Sequence, residues 1–147
     1  MSGFAIWYLI KENHPLHKEI EQINAVLGTT PMPAHIPIIS NLQLLSTAVT
    51  LLQAYDRKRL PTFRLSSRPT VASTPRYKTL NITLRSNKFD RLWNLPLAER
   101  QQMFYNDELC RIPQITQREI TPNEYDLVIM DCRYLDKRLW KRTDGWL

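Results

Sequence analysis

Residues 4–10 read Phe-Ala-Ile-Trp-Tyr-Leu-Ile, a short run of apolar and aromatic side chains that is typical of a buried strand. A helix is predicted over residues 16–27, because apolar side chains recur there every three or four positions and Gly28 can end the helix. A second strand is predicted over residues 34–40. Since it contains Pro37, we expect that strand to lie at a sheet edge or to be irregular. The first forty residues therefore predict a strand–helix–strand unit.

Periodicity along the rest of the chain predicts a longer series of elements. They are a helix over residues 44–55, weak strands at 63–65 and 71–72, a strand over 77–85, a helix over 89–105 broken near Pro96, and strands over 111–118 and 125–132. Helices and strands thus follow one another without a regular βα repeat. The order predicts a single α+β domain over residues 1–147.

Composition and charge narrow the class of partner. The chain has 147 residues and 17.4 kDa, with 43% hydrophobic and 23% charged residues, which is the balance of one globular domain. Lys and Arg number 20 against 14 Asp and Glu, which gives a net charge of +6 and a pI of about 9.5. A small basic domain attracts polyanions, so we expect a nucleotide or nucleic acid as partner.

Several classes of site and location are not expected. The three glycines are far apart and form no phosphate-binding loop, and the cysteines and histidines have no zinc spacing. We therefore predict neither a cofactor nor a metal. The longest apolar run, residues 4–10, is much shorter than a membrane span and has no basic segment before it. This predicts a cytoplasmic protein with no membrane contact and with reduced thiols.

The first unit carries a family resemblance. Gly3-Phe-Ala-Ile-Trp-Tyr-Leu, the helix over 16–27, and the proline-rich loop before Ala-His-Ile-Pro-Ile-Ile-Ser-Asn at 34–41 resemble the 2H phosphoesterase superfamily. That group includes cyclic phosphodiesterases and 2′-5′ RNA ligase-like proteins. The resemblance implies a bilobal α+β fold, with two antiparallel sheets flanked by helices around a central groove. Two His-x-Thr/Ser motifs would face each other across that groove, and no metal would be needed.

Both motifs depart from the family pattern. The first reads His35-Ile36-Pro37, in which proline replaces the hydroxyl residue. The best candidate for the second is Gln114-Ile115-Thr116, 79 residues after His35, in which glutamine replaces histidine. Asn81-Ile82-Thr83, at 46 residues, is a competitor. We favour Gln114 because the shorter separation leaves no room for the intervening strands, and the choice between the two stays open.

These residues define the candidate site. His35 and Thr116 are the candidate catalytic residues, and Gln114, Arg118, Asn81 and Tyr8 are candidate ligand contacts. Trp7 or Tyr8 would stack on a base if it faced the groove, and core packing is the favoured alternative for both. A positioned general acid or base contributes about 10²–10⁴-fold in rate, and glutamine cannot titrate. His14 and His17 are expected to be exposed polar residues near a helix start.

Three functional hypotheses follow. The first is a diverged 2H protein that recognises a phosphodiester (a nucleotide, cyclic dinucleotide, 2′-5′ oligonucleotide or RNA end) with weakened or lost hydrolysis. The second is an active metal-independent phosphodiesterase with His35 as its sole acid/base. The third is a basic RNA-binding or protein-interaction module without a phosphate pocket. Its surface would be the tail, whose cations Arg133, Lys137, Arg138, Lys141 and Arg142 are interleaved with Tyr134, Trp140 and Trp146.

Overall fold

A computed structural model describes residues 3–55 and 59–143. Its elements, in chain order, are β1 (Phe4–Ile10), α1 (Pro15–Leu27), β2 (His35–Leu42), α2 (Leu45–Gln53), β3 (Phe63–Leu65), β4 (Thr70–Ser73), β5 (Lys78–Ser86), β6 (Leu92–Arg100), α3 (Asn106–Leu109), β7 (Glu119–Ile120), β8 (Tyr125–Asp131) and β9 (Lys141–Arg142). The strands form two antiparallel sheets, so the predicted α+β class is confirmed. None of the helices in the described ranges has the length and apolar character needed to cross a membrane.

The first sheet has the order β2-β1-β8-β9, with β1 between β2 and β8. The apolar run predicted as a strand is therefore central in its sheet. β2 lies at the edge, and its pairing with β1 is irregular where Ile6 faces Ile39 and Trp7 faces Pro37. Proline has no backbone N–H to donate, so it is tolerated at such an edge and bulge. The irregularity expected from Pro37 is confirmed.

The second sheet is built around β5. β6 pairs with β5 along its length, whereas β4 and β3 pair with successive parts of the other side of β5, and β7 pairs with β3. Leu80, Ile82 and Leu84 of β5 are buried, as their alternation predicted. The two sheets come together where β2 lies against β6.

Two apolar clusters pack on opposite faces of the first sheet. The larger one joins Ile6 and Tyr8 of β1 to α1, α2 and the inner face of the second sheet. The smaller one consists of Ala5, Trp7, Val128, Met130 and Cys132, with Leu9 and Trp140 packed against it. Because successive side chains of a strand point to opposite faces, β1 contributes to both clusters. This explains why residues 4–10 are apolar throughout.

Helix α1 begins and ends as its sequence suggests. Pro15 occupies the first turn, where its missing N–H costs nothing, and Gly28 ends the helix at φ 68°, a left-handed conformation that favours glycine. Asn24 is buried in α1, and its Nδ2 donates to the carbonyls of Ile20 and Leu97, both at 2.8 Å. The second of these bonds ties α1 to β6.

The helix predicted over residues 89–105 is wrong, because residues 92–100 form strand β6. Trp93, Leu95 and Leu97 are buried at every second position, which is the period of a strand. Pro96 would break a helix. In β6 it lies beside a bulge opposite Leu80 and Asn81, where the ladder is already interrupted.

The strand predicted over residues 111–118 is also wrong. This segment is irregular, and the short strand β7 begins only at Glu119. Its polar groups find partners outside a ladder: the backbone N–H of Thr116 donates to the Glu19 carboxylate at 2.8 Å, and the Arg118 guanidinium donates to the Ile115 carbonyl at 3.0 Å. These side-chain bonds take the place of strand pairing.

Candidate functional site

His35 lies at the start of β2, on the face of the first sheet that carries Trp7. Only 3% of the residue is exposed. Its ring stacks on the Trp7 indole, with 3.6 Å between centroids and 21° between planes. Nδ1–H donates to the Pro33 carbonyl at 2.7 Å, because a carbonyl can only accept. In the neutral ring, Nε2 therefore remains as an acceptor.

The surroundings of His35 favour its neutral form. Burial lowers its pKa to about 4, and the charges of Lys137 and His17 act in the same direction. The hydrogen bond to Pro33 opposes this shift but is outweighed. At neutral pH the only proton on the ring nitrogens is the one on Nδ1, which the Pro33 carbonyl holds, so the ring has none to give to a leaving group. It is also a weak base, since the best catalytic pKa lies near the working pH.

A cavity of about 550 Å³ lies beside His35, on the same face of the first sheet. We call it the strap cavity. It is lined by Leu9, Ile10, Glu12, His17, Glu21, Pro31, Met32, Pro33, Met130, Trp140, Lys141 and Arg142. Pro33 binds the His35 ring, and Leu9 faces His35 across the β1–β2 pair. The residues that hold His35 thus form part of the cavity wall, although His35 does not line the cavity.

Charged and aromatic side chains line the strap cavity together. Lys141 and Arg142 come from β9, and Arg142 also contacts Asp126 at 3.4 Å. Glu12 precedes α1 and Glu21 lies within it. Trp140 lines the cavity and contacts the Trp7 ring at 5.9 Å between centroids. Cations, carboxylates and an indole thus surround a single space.

The segment over residues 132–140, which we call the strap, closes this side of the first sheet. Trp140 Nε1 donates to the Tyr134 carbonyl at 2.8 Å, and Lys137 reaches Glu99 of β6 at 3.2 Å. Arg133 pairs with Asp131 and Arg138 with Asp136, both at 2.8 Å. Most cations proposed for a nucleic-acid-binding tail therefore already have carboxylate partners. Trp146 lies outside the described residues.

The favoured second motif does not contact His35. Thr116 bonds Glu19 of α1 through both its backbone N–H and its hydroxyl. Gln114 lines a smaller, mainly apolar cavity of about 220 Å³ with Ile23 and Ile82. No hydrogen bond or ring contact among the described residues joins Gln114, Thr116 or Arg118 to His35. The expectation that Gln114 and Thr116 lie opposite His35 is wrong, because it required a strand over residues 111–118.

The competing motif does lie on a strand. Asn81 is in β5 and only 7% exposed, and its Nδ2 makes one long bond of 3.4 Å to the Thr79 carbonyl. Thr79 is on the same face of β5 and lies opposite Glu99, the partner of Lys137. Asn81 therefore lies on the sheet face that the strap reaches. No sequence signal marks Lys137 and Glu99 as neighbours, because only the fold of the strap brings them together.

Tyr8 is placed in the larger core rather than on a ligand surface. It is 1% exposed, and its ring contacts Phe63, Trp93 and Tyr125 at 4.9–5.8 Å between centroids. Burial raises its pKa to about 12. Three aromatic rings already occupy its surroundings, so we exclude Tyr8 from base stacking. Core packing, the alternative considered for Tyr8, is what the structure has.

The expectation that His14 and His17 are exposed is wrong. His14 is buried at the start of α1, where Nδ1 accepts from the Leu16 N–H at 3.1 Å and Nε2 lies 2.7 Å from the Glu124 carboxylate. His17 is half-buried: Nε2–H donates to the Ile10 carbonyl at 2.9 Å and Nδ1 accepts from the Ala34 N–H at 3.2 Å. Both rings thus hold α1 against neighbouring chain segments. The position of His14 just before Pro15 was the available sequence signal for a helix cap.

Within residues 3–55 and 59–143, no group of three or more His, Cys, Asp or Glu side chains is placed to hold a metal ion. Comparison of the chain with protein-family models, curated proteins and solved structures finds no match.

Proposed function

We propose that the protein binds a nucleotide or a related phosphodiester in the strap cavity and hydrolyses it weakly or not at all. The related ligands include a cyclic dinucleotide, a 2′-5′ oligonucleotide and an RNA end. One observation carries the proposal: a cavity of about 550 Å³ with an indole and two cations lies beside His35, yet His35 itself is buried behind the cavity wall.

The cavity contains the side chains that nucleotide binding requires. The Lys141 ammonium and the Arg142 guanidinium supply charge-assisted donors for phosphate oxygens. The Trp140 ring offers a flat surface for a base, as aromatic side chains do in nucleic-acid sites. Glu12 and Glu21 supply acceptors for base N–H groups or ribose hydroxyls. A mononucleotide uses all three kinds of contact.

Weak or absent hydrolysis follows from the state of His35. A metal-independent phosphodiesterase needs one group that accepts a proton and another that donates one. With a pKa of about 4, His35 is neutral at pH 7 and a weak base. The histidine that lines the cavity is His17. Both His17 nitrogens are engaged with the backbone of Ile10 and Ala34. His17 therefore has no free ring nitrogen, and at neutral pH His35 offers only its weakly basic Nε2.

We further propose that the chain is a diverged relative of the 2H phosphoesterases, with the bilobal arrangement that this implies. Two antiparallel sheets with flanking helices, and His35 on β2, are compatible with that origin. In this proposal Asn81-Ile82-Thr83 of β5 replaces Gln114-Ile115-Thr116 as the second motif. Its support is that Asn81 lies on a strand face that the strap reaches, whereas Gln114 lies in a loop near α1.

Binding is tested with Lys141→Gln. Titration of the wild type with fluorescent mononucleotides, 2′-5′ oligoadenylates and cyclic dinucleotides should show saturable binding to at least one class. Loss of one charge-assisted phosphate contact should weaken that binding by about tenfold or more. Lys18→Gln is the matched control, because Lys18 is exposed on α1 and does not line the cavity. Equal weakening in both variants would show that only net charge matters and would remove the cavity from the proposal.

Hydrolysis is tested on the same ligands, with 2′,3′-cyclic nucleotides added. Products are separated by liquid chromatography for the wild type and for His35→Gln. We expect turnover to be slow or absent in the wild type and equal to this in His35→Gln. Cleavage of one ligand class that is lost in His35→Gln would contradict this result. It would establish the second candidate, a phosphodiesterase in which Nδ1–H is held by Pro33 and Nε2 acts as the base.

A further inference from the structure

The face of the second sheet that points away from the core carries two arginines directly opposite each other. Arg64 of β3 and Arg85 of β5 are register partners, and both are exposed. Among the residues that the structure describes, neither side chain has a hydrogen bond or an ion pair; Glu119, opposite Arg64 on β7, lies too far for one. Like charges at such positions repel. Both guanidiniums are exposed and make no ion pair within the described residues.

The same face continues with polar and apolar side chains. Thr83 lies opposite Asn94, two positions along β5 from Arg85, and Asn94 is exposed. Exposed Leu92 lies opposite Arg85. A step of two residues along a strand is about 7 Å, so these groups form a short row on an open surface. Hydroxyl and amide groups there can both donate and accept hydrogen bonds.

The hairpin between β5 and β6 extends this face. A cavity of about 340 Å³ at its tip is lined by Arg85, Ser86, Asn87, Lys88, Phe89, Asp90 and Arg91. Three cations thus face a single carboxylate. Phe89 is 45% exposed, and the Arg91 guanidinium stacks over Trp93 at 3.8 Å from the ring centroid. An exposed ring therefore lies next to cations that have no carboxylate partner within the described ranges.

We propose that this surface binds single-stranded RNA. We call it the arginine face and define it by Arg64, Thr83, Arg85, Lys88, Phe89 and Asn94; Arg91 is left out because its guanidinium lies over Trp93 on the core side of the sheet. Single strands are bound by basic surfaces that follow the phosphates and by aromatic side chains on which bases stack. Charge complementarity to phosphate comes from the unpaired arginines, and Phe89 supplies the stacking surface. The strap is a weaker candidate for this role, because Arg133, Lys137 and Arg138 are already paired with carboxylates.

RNA is the favoured occupant for a specific reason. Thr83 and Asn94 are register partners two residues along the strands from Arg85 and Leu92. A strand whose phosphates lie on Arg85 would bring its ribose hydroxyls near the Thr83 hydroxyl and the Asn94 amide. The 2′-hydroxyl donates and accepts hydrogen bonds and is absent from DNA. An acidic peptide would engage the arginines but would gain nothing from a stacking ring. The arginine face does not depend on the strap cavity, so the two proposals can fail separately.

The test compares two variants of equal net charge. Binding of a fluorescein-labelled oligouridylate of about eight nucleotides is followed by anisotropy over a series of salt concentrations. Arg64→Gln/Arg85→Gln should weaken binding by about tenfold or more and lower the salt slope by about 1.4, which is two lost phosphate contacts on a single strand. The matched control is Lys11→Gln/Lys18→Gln, which removes two exposed cations from the β1–α1 region. It should change the affinity far less.

Further variants and a DNA ligand test the other features of the arginine face. Phe89→Leu should weaken binding by between about fivefold and a hundredfold, as expected for one lost base stack. Equal weakening by the two double variants would overturn the arginine face. Equal affinity of the wild type for an oligodeoxyuridylate of the same length would overturn RNA as its occupant. Arg64→Gln/Arg85→Gln should keep its thermal midpoint, because both side chains are exposed and make no ion pair. Arg64→Gln/Arg85→Gln should keep its mononucleotide affinity, because neither arginine lines the strap cavity, and this separates the two sites.

Discussion

His35 donates from Nδ1 to the Pro33 carbonyl and stacks on Trp7, and both contacts hold the neutral ring inside the protein. The sequence placed this histidine on a strand correctly, from the alternation around Pro37. It could not predict the ring's protonation, because burial and the charge of Lys137 depend on a strap about a hundred residues away. The same holds for His14, whose partner Glu124 lies at the other end of the chain.

The pKa of His35 predicts how the stability of the protein depends on pH. The unfolded histidine takes up its proton near pH 6.5, but the folded one does so only near pH 4. Between these values the unfolded state binds more protons, so the free energy of unfolding falls as the pH is lowered from about 6.5 towards 4. His35 should account for a loss on the order of 2 kcal/mol between about pH 7 and pH 5.

Urea unfolding of the wild type and of His35→Gln at both pH values measures this loss. The variant should lose less stability on acidification by the stated amount, with an unchanged dependence on urea concentration as the control for an intact fold. The same pH dependence in both proteins would show that other groups are responsible.

At the scale of elements, local pattern decided which predictions succeeded. The hydrophobic pattern of a segment by itself predicts its structure in three cases, and the sequence located all three elements: β1, α1 and β8. β6 was predicted as a helix because apolar residues on both sides of Pro96 resemble a broken helical face. Residues 111–118 alternate as a strand does, but Glu19 and the Ile115 carbonyl take up their polar groups. Both errors come from partners that are distant in sequence.

Asn24 tests how α1 and β6 depend on each other. Leu97 lies at the bulge of β6, and its carbonyl accepts from Asn24 Nδ2. Asn24→Ala removes this donor inside the core, and we expect the free energy of unfolding to fall by about 2–3 kcal/mol. Thr29→Ala removes only the hydroxyl that donates to Asn24 Oδ1, and it should cost about 1 kcal/mol. Chemical denaturation of both variants gives the comparison, and equal losses would contradict the role assigned to the Leu97 carbonyl.

For the whole molecule, the first sheet has an apolar cluster on each face. The larger cluster is shared with the helices and the second sheet, whereas the smaller one is covered by the strap. Lys137 of the strap binds Glu99 of β6, so the strap also connects the two sheets. The tail sequence, rich in Arg, Lys and Trp, suggested a binding surface. In the structure Trp140 packs against Trp7 with part of its ring at the strap cavity, and most of the strap's cations form ion pairs.

Trp140→Ala tests whether the strap closes the smaller cluster. Removal of this half-buried indole uncovers Trp7, and we expect a loss of about 1–3 kcal/mol in unfolding free energy together with greater quenching of tryptophan fluorescence by acrylamide. Leu135→Ala is the control within the strap, because Leu135 is 94% exposed and should change stability by less than about 0.5 kcal/mol. Equal effects of the two substitutions would mean that the strap does not cover Trp7 in solution.

Strand β4 has a consequence for the behaviour of the protein at high concentration. It pairs with β5 on one side, and within the described ranges no strand pairs with its other side, although all four of its residues are exposed. An open edge of this kind is a template for adding a strand from another chain, which is how many aggregates begin. Pro69 and Pro75 flank β4, together with Arg68 and Arg76. A proline donates no hydrogen bond and like charges repel, so the flanking sequence limits aggregation through this edge.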